Sequence, residues 1–320
     1  LPEQPNAIPY VTSYYNLTWG FCLSENQRRL LESCEYHVVI DSELKDGCMN
    51  YGELIIHGES AKEVLLSTYI CHPSMGNNEI SGPVVTLALA RWLAERGKNR
   101  YTYRIIFIPE TIGSIVYLSK HYQDLKQSVV AGLVLTCIGD DNNYSFLPSR
   151  IGDTLIDRVV LDVMNHFLVD YTKYSFLDRG SDERQYCSPG IDLPVASIMR
   201  TKYGVYPEYH TSLDDLSFIS PEGLAGGYSI VEKVIQALEL NKTYVTKILC
   251  EPQLGKRNLY PQISTKNTAE YIEADIILNL MAYCDGKNDL LNISQIIKVN
   301  IFDLKKVVEI LLKNGLIEEI

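Results

Sequence analysis

Ser67-Thr-Tyr-Ile-Cys-His-Pro-Ser74, continued by Met75-Gly-Asn-Asn-Glu-Ile-Ser-Gly82, decides how this chain is read. Val64–Cys71 is a nearly continuous apolar run, the pattern of a strand covered on both faces of a parallel sheet. It stops at His72, and a Gly/Asn turn leads into Ser81–Glu95, where Val85, Leu89, Trp92 and Leu93 share one helical stripe that Gly97 ends. Strand, polar turn and helix together form the repeating unit of an open α/β sheet, and such sheets bind ligands beyond the carboxyl ends of their strands. A histidine in that place can offer a ring nitrogen to a metal while the sheet fixes its position. The plainer alternative is that His72 closes the strand by hydrogen bonding to a loop.

Outward from this unit the alternation continues. Tyr103–Ile108 reads as a strand stopped by Pro109, Thr111–His121 as a helix, Gly132–Ile138 as a buried strand and Ile151–Phe167 as a helix. Pro194–Met199 is a short strand, and Ser220 caps a helix with Pro221 in its first position that runs to Leu240. The expected fold is α/β, a mostly parallel sheet with helices on both faces. Residues 1–60 differ in texture. Tyr36–Leu44 and Asn50–His57 alternate around an Asp46-Gly47 turn, so 1–60 is expected to be a small β-rich domain. The catalytic domain is then 61–248. After a Pro/Gly-containing break at Leu249–Lys266, residues 249–320 form a linker and a helical domain.

Composition narrows the function. Lys and Arg number 29 against 40 Asp and Glu, a net charge of −11 that disfavours nucleic acid as a partner and suits a small polar substrate or a cation. No apolar run approaches the roughly 20 residues of a membrane span. The eight cysteines are scattered without a CxxC pair, and Cys71 and Cys137 sit in apolar strand runs where cysteine acts as a small hydrophobe. Reduced thiols in a cytoplasm are expected. The sequence begins at Leu1 rather than Met, as in a processed or partial chain.

Four further segments carry ionisable groups at strand ends or in polar clusters: Pro109-Glu-Thr-Ile-Gly-Ser114, Gly139-Asp-Asp141, Ser181-Asp-Glu-Arg-Gln-Tyr186 and Pro207-Glu-Tyr-His-Thr-Ser-Leu-Asp-Asp215. Each has a plain alternative. Glu110 can serve a helix N-terminus, Asp140 a turn, and Asp182 and Glu183 a solvated loop. Their common placement favours convergence on one edge of the sheet.

The stretches STYICHPS (67–74), PETIGS (109–114), SDERQYCSPG (181–190), DLPV (192–195) and YPEYHTSLDDL (206–216) resemble the zinc aminopeptidases. That family also contains the glutaminyl cyclases. Closer still is an uncharacterised aminopeptidase-like family with an inserted β-rich domain, a C-terminal winged helix and a further region ahead of Leu1. The resemblance implies a metal-activated water that cleaves a peptide or amide bond. His72 and His210 match the family's first and last metal-binding histidines. Asn78 stands where a metal-bridging aspartate is usual, with Glu79 beside it, and Asp182 matches a Ser-Asp motif of the active-site network. These imply metal: His72, Asn78, Asp182 and His210. Glu110 falls where the family has a catalytic and a metal-binding glutamate, yet here only one is present. Glu110, Asp182 and Glu183 are thus the candidate catalytic carboxylates, and Arg184, Tyr186, Arg200 and Tyr209 the candidates for substrate binding. Ser74 and Thr136 replace two more aspartates. An asparagine at the bridge removes a charge that two close dications require, so one zinc ion is expected rather than two. The substrate is expected to be a small peptide or an amide-bearing compound, sugar-derived ones included.

Ala274–Met281, Ile293–Lys298 and Ile301–Lys313 read as three helices, with Asn300 capping the last, and resemble a winged helix. Asn267–Ile320 holds five lysines, no arginine and nine acidic residues. DNA readers are basic on one face, so a packing, protein-contact or self-association role is expected. Two rivals to the hydrolase stay open: a non-catalytic binding or assembly module, and a regulator that uses the winged helix.

Overall fold

The structure, a computed structural model, describes residues 1–13, 16–72, 74–260 and 269–320, with side chains from 273 in the last stretch. Pro73 of the STYICHPS stretch and residues 261–266 of the expected break lie outside the described residues. The chain divides into two compact units, Leu1–Arg158 with Leu168–Val231, and Val159–Phe167 with Glu232–Ile320.

The first unit is built on a seven-stranded sheet of β1 (Gly52–Ile56), β2 (Glu63–Tyr69), β3 (Thr102–Ile108), β4 (Val129–Leu135), β5 (Ser145–Leu147), β6 (Thr172–Lys173) and β7 (Val195–Met199). The order is β1-β3-β2-β4-β7-β5-β6. Strands β3, β2, β4 and β7 are mutually parallel, while β1 and β5 run antiparallel to β3 and β7. All seven residues of β2 are buried, which accounts for its unbroken apolar run. Among the described residues the α-helices are α1 (Glu25–Arg29), α2 (Ser81–Glu95), α3 (Ile112–Ser128), α4 (Leu155–Phe167), α5 (Glu183–Tyr186), α6 (Pro221–Leu240), α7 (Ala269–Ala282), α8 (Leu290–Ile297) and α9 (Ile301–Lys313).

The connection β2–α2–β3 leads to one side of β2, and β3–α3–β4 returns to the other. With right-handed crossovers the two helices must cover opposite faces. Packing agrees. Leu65 meets Tyr117, Leu118 and Leu125 of α3 in one core cluster. From the opposite face, Gly82 of α2 sits so close to β4 that a Cβ there would lie 2.4 Å from the Leu135 carbonyl. The reversal of direction opens a crevice beyond the carboxyl ends of β2 and β4, where an α/β sheet offers a binding site.

Two sequence expectations fail in residues 1–60. Tyr36–Leu44 forms no strand, and Asn50–His57 yields β1, which joins the edge of the main sheet by pairing Gly52–Ile56 with β3. An isolated hairpin is marginal in water, and pairing with an existing edge is the more stable outcome. Val39 is accordingly 76% exposed. Residues 1–60 form part of the first unit rather than a separate body.

In the second unit β8 (Thr243–Thr246) lies between β10 (Ile317–Glu319) and β9 (Asp285–Asp289) in a three-stranded antiparallel sheet. Asp289 caps α8 by accepting from Asn292 N–H, and Asn300 caps α9 by accepting from Phe302 N–H. Ile277, Leu280, Leu291, Ile301, Leu304 and Leu311 are buried in its interior.

Candidate metal centre

Three strands deliver the first residues of the site. Past the end of β2 comes His72, two residues past β3 comes Glu110, and directly after β4 comes Thr136. His72 Nε2 lies 4.0 Å from Glu110 Oε2. On the other side of the ring, His72 Nδ1 lies 3.3 Å from Glu79 Oε2 and 3.0 Å from Cys71 Sγ. Glu79 reaches this position from a π-helical turn, Gly76–Ile80, a wide turn often found at functional sites. The turn has no side-chain cap of its own. Asp214 supplies one, accepting from Asn77 N–H at 2.6 Å and Asn78 N–H at 3.0 Å, while its carbonyl accepts from Gly76 N–H at 2.7 Å.

Asp214 belongs to the segment that carries His210, so one stretch supplies both an imidazole and the clamp on the turn behind the other imidazole. The His72 and His210 rings are 5.4 Å apart, centre to centre, and tilted by 32°. Two imidazoles bound to one tetrahedral zinc through bonds of about 2.0–2.1 Å have ring centres roughly 5 Å apart. His210 adopts a φ of +56°, as do Ser74 (+65°), Thr111 (+61°) and Cys137 (+48°) nearby in the left-handed region. Such positions cost on the order of 1–3 kcal/mol each and cluster at functional sites. Aromatic rings pack around the pair. Tyr209 stacks on His210 at 3.9 Å, and Tyr10 stands 5.6 Å from His72 and 5.1 Å from His210. Tyr10 is held there by its N–H bond to the His210 carbonyl (3.0 Å) and by the bridge between Pro9 and Thr211.

Burial governs the acid–base character of the site. It pushes the Glu110 carboxyl above its ordinary value, against the pull of the charges on His72 and Arg184. It lowers His210, and the charge of His72 lowers it further. His72 is raised, first by its contact with Cys71 and then by Glu79. Asp182, fully buried, is pushed up to about 7 by desolvation. Its Oδ1 accepts from Thr111 N–H at 2.7 Å and Ser114 Oγ at 2.8 Å, whereas its Oδ2 has no partner among the described residues.

That shift has a direction in stability. A buried acid that holds its proton more tightly folded than unfolded (about 3.9 unfolded) stabilises the fold at low pH, and the contribution is lost as pH rises from about 4 towards 7. The isosteric Asp182→Asn keeps an acceptor for Thr111 and Ser114 without the titrating charge. Thermal unfolding at about pH 5 and about pH 8 is therefore expected to differ less in this variant than in the wild type. An equal loss in both would remove Asp182 as the cause.

The remaining candidates separate. Arg184 donates to Thr111 Oγ1, and its charge acts on both Glu110 and Tyr209, placing it at the site. The Asn78 side chain accepts from Tyr69 OH at 3.3 Å, and its carbonyl accepts from Thr136 Oγ1 at 3.1 Å. Among the described residues, one group of three or more His, Cys, Asp or Glu side chains brings its ligand atoms within 4.8 Å of one another, namely Cys71, His72 and Glu79, and Glu110, Asp182 and His210 lie outside it. Glu183 is fully buried, and its carboxylate accepts from Gly180 N–H, Ser181 N–H, Ser197 Oγ and Tyr203 OH. Tyr186 is a core residue bonded to Ser67 Oγ at 2.9 Å. Arg200 donates to the Asn143 carbonyl at 2.7 Å with its guanidinium over Tyr144. The side chains of these three are engaged by interior partners.

Cys71, Glu79, Tyr10 and Asp214 were missed as site residues. The sequence places Cys71 in an apolar strand run, yet β2 ends at Tyr69 and Cys71 is exposed. Glu79 stands next to Asn78 in sequence, and only the π-helical turn aims it at His72. Asp214, four residues after His210, was legible in the motif as an acid without a task.

Residues 5–241 match a family described as a domain of unknown function, DUF4910. The chain belongs to this family. Its residues 242–319 match a winged helix-turn-helix family. A Clostridium acetobutylicum protein, provisionally named a polysaccharide biosynthesis protein with an aminopeptidase-like domain, is 44% identical over 297 residues, which is 92% of this chain and 67% of that protein. A crystal structure from the same organism, provisionally named a peptidase, matches with a TM-score of 0.91 and 39% identity over 100% of this chain and 72% of that one. The zinc aminopeptidase BSAP of Bacillus subtilis matches at a TM-score of 0.50 and 16% identity, over 58% of this chain and 49% of its own, a likeness of fold alone. The DUF4910 part is thus aminopeptidase-like in fold, and residues 242–319 form a winged helix. Among the described residues no helix is long and apolar enough to cross a membrane.

In donor chemistry the residues gathered here fit a borderline divalent cation such as zinc. Two imidazole rings 5.4 Å apart, a carboxylate 4.0 Å from His72 Nε2, and a thiol and a second carboxylate on its Nδ1 side are all of the types that zinc takes.

Proposed function

We propose that the first unit is a zinc-dependent hydrolase of amide or peptide bonds that uses one ion. The observation that carries this reading is the approach of the His72 and His210 rings to 5.4 Å, with Glu110 Oε2 4.0 Å from His72 Nε2. His72 and His210 would hold the zinc, which when bound lowers the pKa of water and polarises an amide carbonyl. Glu110 takes the proton of the attacking water and returns it to the leaving amine. Its 4.0 Å distance from His72 Nε2 exceeds the roughly 3.3 Å between two ligands of one tetrahedral zinc and leaves room for that water. Asp182 fixes Glu110 by holding Thr111 N–H, the next residue along. Arg184 and Tyr209 are the donors assigned to the developing oxyanion.

Beside His210 lies a cavity of about 320 Å³ lined by Glu3, Gln4, Tyr10 and Tyr209 among others. Its aromatic walls suit the side chain of a small peptide or the ring of a sugar-derived amide. The name of the 44% identical relative lends support to a sugar-linked substrate. Residues 61–248 carry the chemistry, with Tyr10 lent by the N-terminal segment. Residues 249–320 serve contacts within or between proteins. A cytoplasmic setting is in keeping with the cysteines, all of which are free.

One set of observations favours a second reading, a non-catalytic module. Ser74, Asn78 and Thr136 leave the site poorer in carboxylates than the resemblance implies. Metal analysis of the purified chain decides between them. The hydrolase is expected to carry close to one equivalent of zinc, or to take it up when zinc is added. A chain that refuses added zinc and manganese is the module.

A further inference from the structure

We propose that Glu79 is the positioning residue of His72, doing from the π-helical turn what an aspartate two residues after the histidine would otherwise do. The inference rests on the hydrolase reading. Ser74 occupies that second position, with a short uncharged side chain and a φ of +65°. Glu79 instead brings Oε2 to 3.3 Å from His72 Nδ1, with side chains only 9% and 11% exposed. Its other oxygen accepts the Cys71 N–H, so the carboxylate is anchored at both ends. A carboxylate on Nδ1 keeps the proton on that nitrogen, so that Nε2, on the Glu110 side, is the nitrogen left to bind an ion.

The reach of Glu79 depends on the turn. Asp214 holds Asn77 N–H and Asn78 N–H, and Gly76 fits so closely beneath this segment that a Cβ would lie 2.4 Å from the Asp215 carbonyl. Cys71 Sγ also touches Nδ1, at 3.0 Å. It accepts Glu110 N–H at 3.4 Å, which ties the sulfur to the β3 turn. The thiol is thus a neighbour of the pair, and the charged, doubly anchored Glu79 is the partner that fixes the ring.

The test uses the full chain as wild type, E79Q, S74D, S74D/E79Q and C71S, with zinc affinity measured by chelator competition and the site reported by cobalt spectra. E79Q is expected to weaken zinc binding about 10–100-fold, the cost of losing an outer carboxylate, with an unchanged cobalt ligand-field pattern. S74D/E79Q is expected to recover most of that loss, because an aspartate tolerates the left-handed backbone at 74. In the metal-free protein, a hydrogen-bonded Nδ1 proton of His72 is expected by NMR in the wild type and in C71S, and is lost in E79Q.

E79Q binding zinc within twofold of the wild type overturns the inference. So does a thiolate-to-cobalt band that C71S abolishes, since sulfur and Glu79 would then be ligands. If the wild type binds no ion but shows the Nδ1 proton and E79Q does not, the hydrolase reading falls and the positioning of His72 stands. If neither ion nor Nδ1 proton is found, both fall.

Discussion

Replacing His210 by asparagine is expected to lower zinc affinity by well over the roughly 100-fold that outer partners contribute, and to abolish hydrolysis with it. Asparagine is the informative choice because position 210 has a φ of +56°. Short amide side chains tolerate that conformation, whereas alanine would add backbone strain to the loss of a ligand. The rest of the 205–215 segment keeps its supports, since Tyr10 N–H bonds to the carbonyl of residue 210 and Asp214 holds its own amides. Thermal unfolding of the metal-free variant should therefore stay close to that of the metal-free wild type. An H210N protein that binds zinc as tightly as the wild type would remove His210 from the centre and leave His72 with other ligands.

Glu110→Gln is expected to cost about 10²–10⁴ in turnover, the range that general-base catalysis supplies, while zinc content changes by no more than a few-fold. Burial raises the Glu110 carboxyl, and a base works only when deprotonated. Activity of the wild type should fall as pH drops through that raised value, above the ordinary carboxylate value of about 4.3. The residual activity of E110Q should lack this acid limb. Zinc lost together with turnover would make Glu110 a ligand, and turnover unchanged would leave the water without its base.

The sheet was legible because its strands are buried on both faces. Val64–Cys71, Tyr103–Ile108 and Pro194–Met199 announce themselves as apolar runs, and the structure places β2, β3 and β7 there within two residues. The strands of the winged helix were not, since β9 reads Asp-Gly-Lys-Asn-Asp and β10 is only three residues long. Such strands are fixed by pairing with β8 and leave no periodic mark. In the N-terminal region the alternation of Tyr36–Leu44 was present without any strand to pair with, which shows that period alone does not make a sheet.

The site was legible in part for the same physical reason. His72, Glu110 and His210 lie in motifs whose polar residues interrupt apolar runs. Arg184 and Tyr209 followed from their closeness to those motifs. Glu183, Tyr186 and Arg200 shared that closeness, yet their side chains turn into the interior, where each finds partners of its own. Spacing along the chain could not separate the two groups, because direction depends on where a short helix such as α5 starts. Glu79 was hidden by the π-helical turn, whose extra residue shifts the side-chain phase relative to an α-helix.

The double duty of residues 205–215 has a consequence for how this centre can fail. A fluctuation that lifts the His210 loop also withdraws Asp214 from the amides of residues 77 and 78, and with them the platform beneath Asn78 and Glu79. The two banks of the crevice therefore come apart in a single event instead of eroding singly. A half-assembled centre, with one imidazole in place and its counterpart adrift, is a state this architecture disfavours.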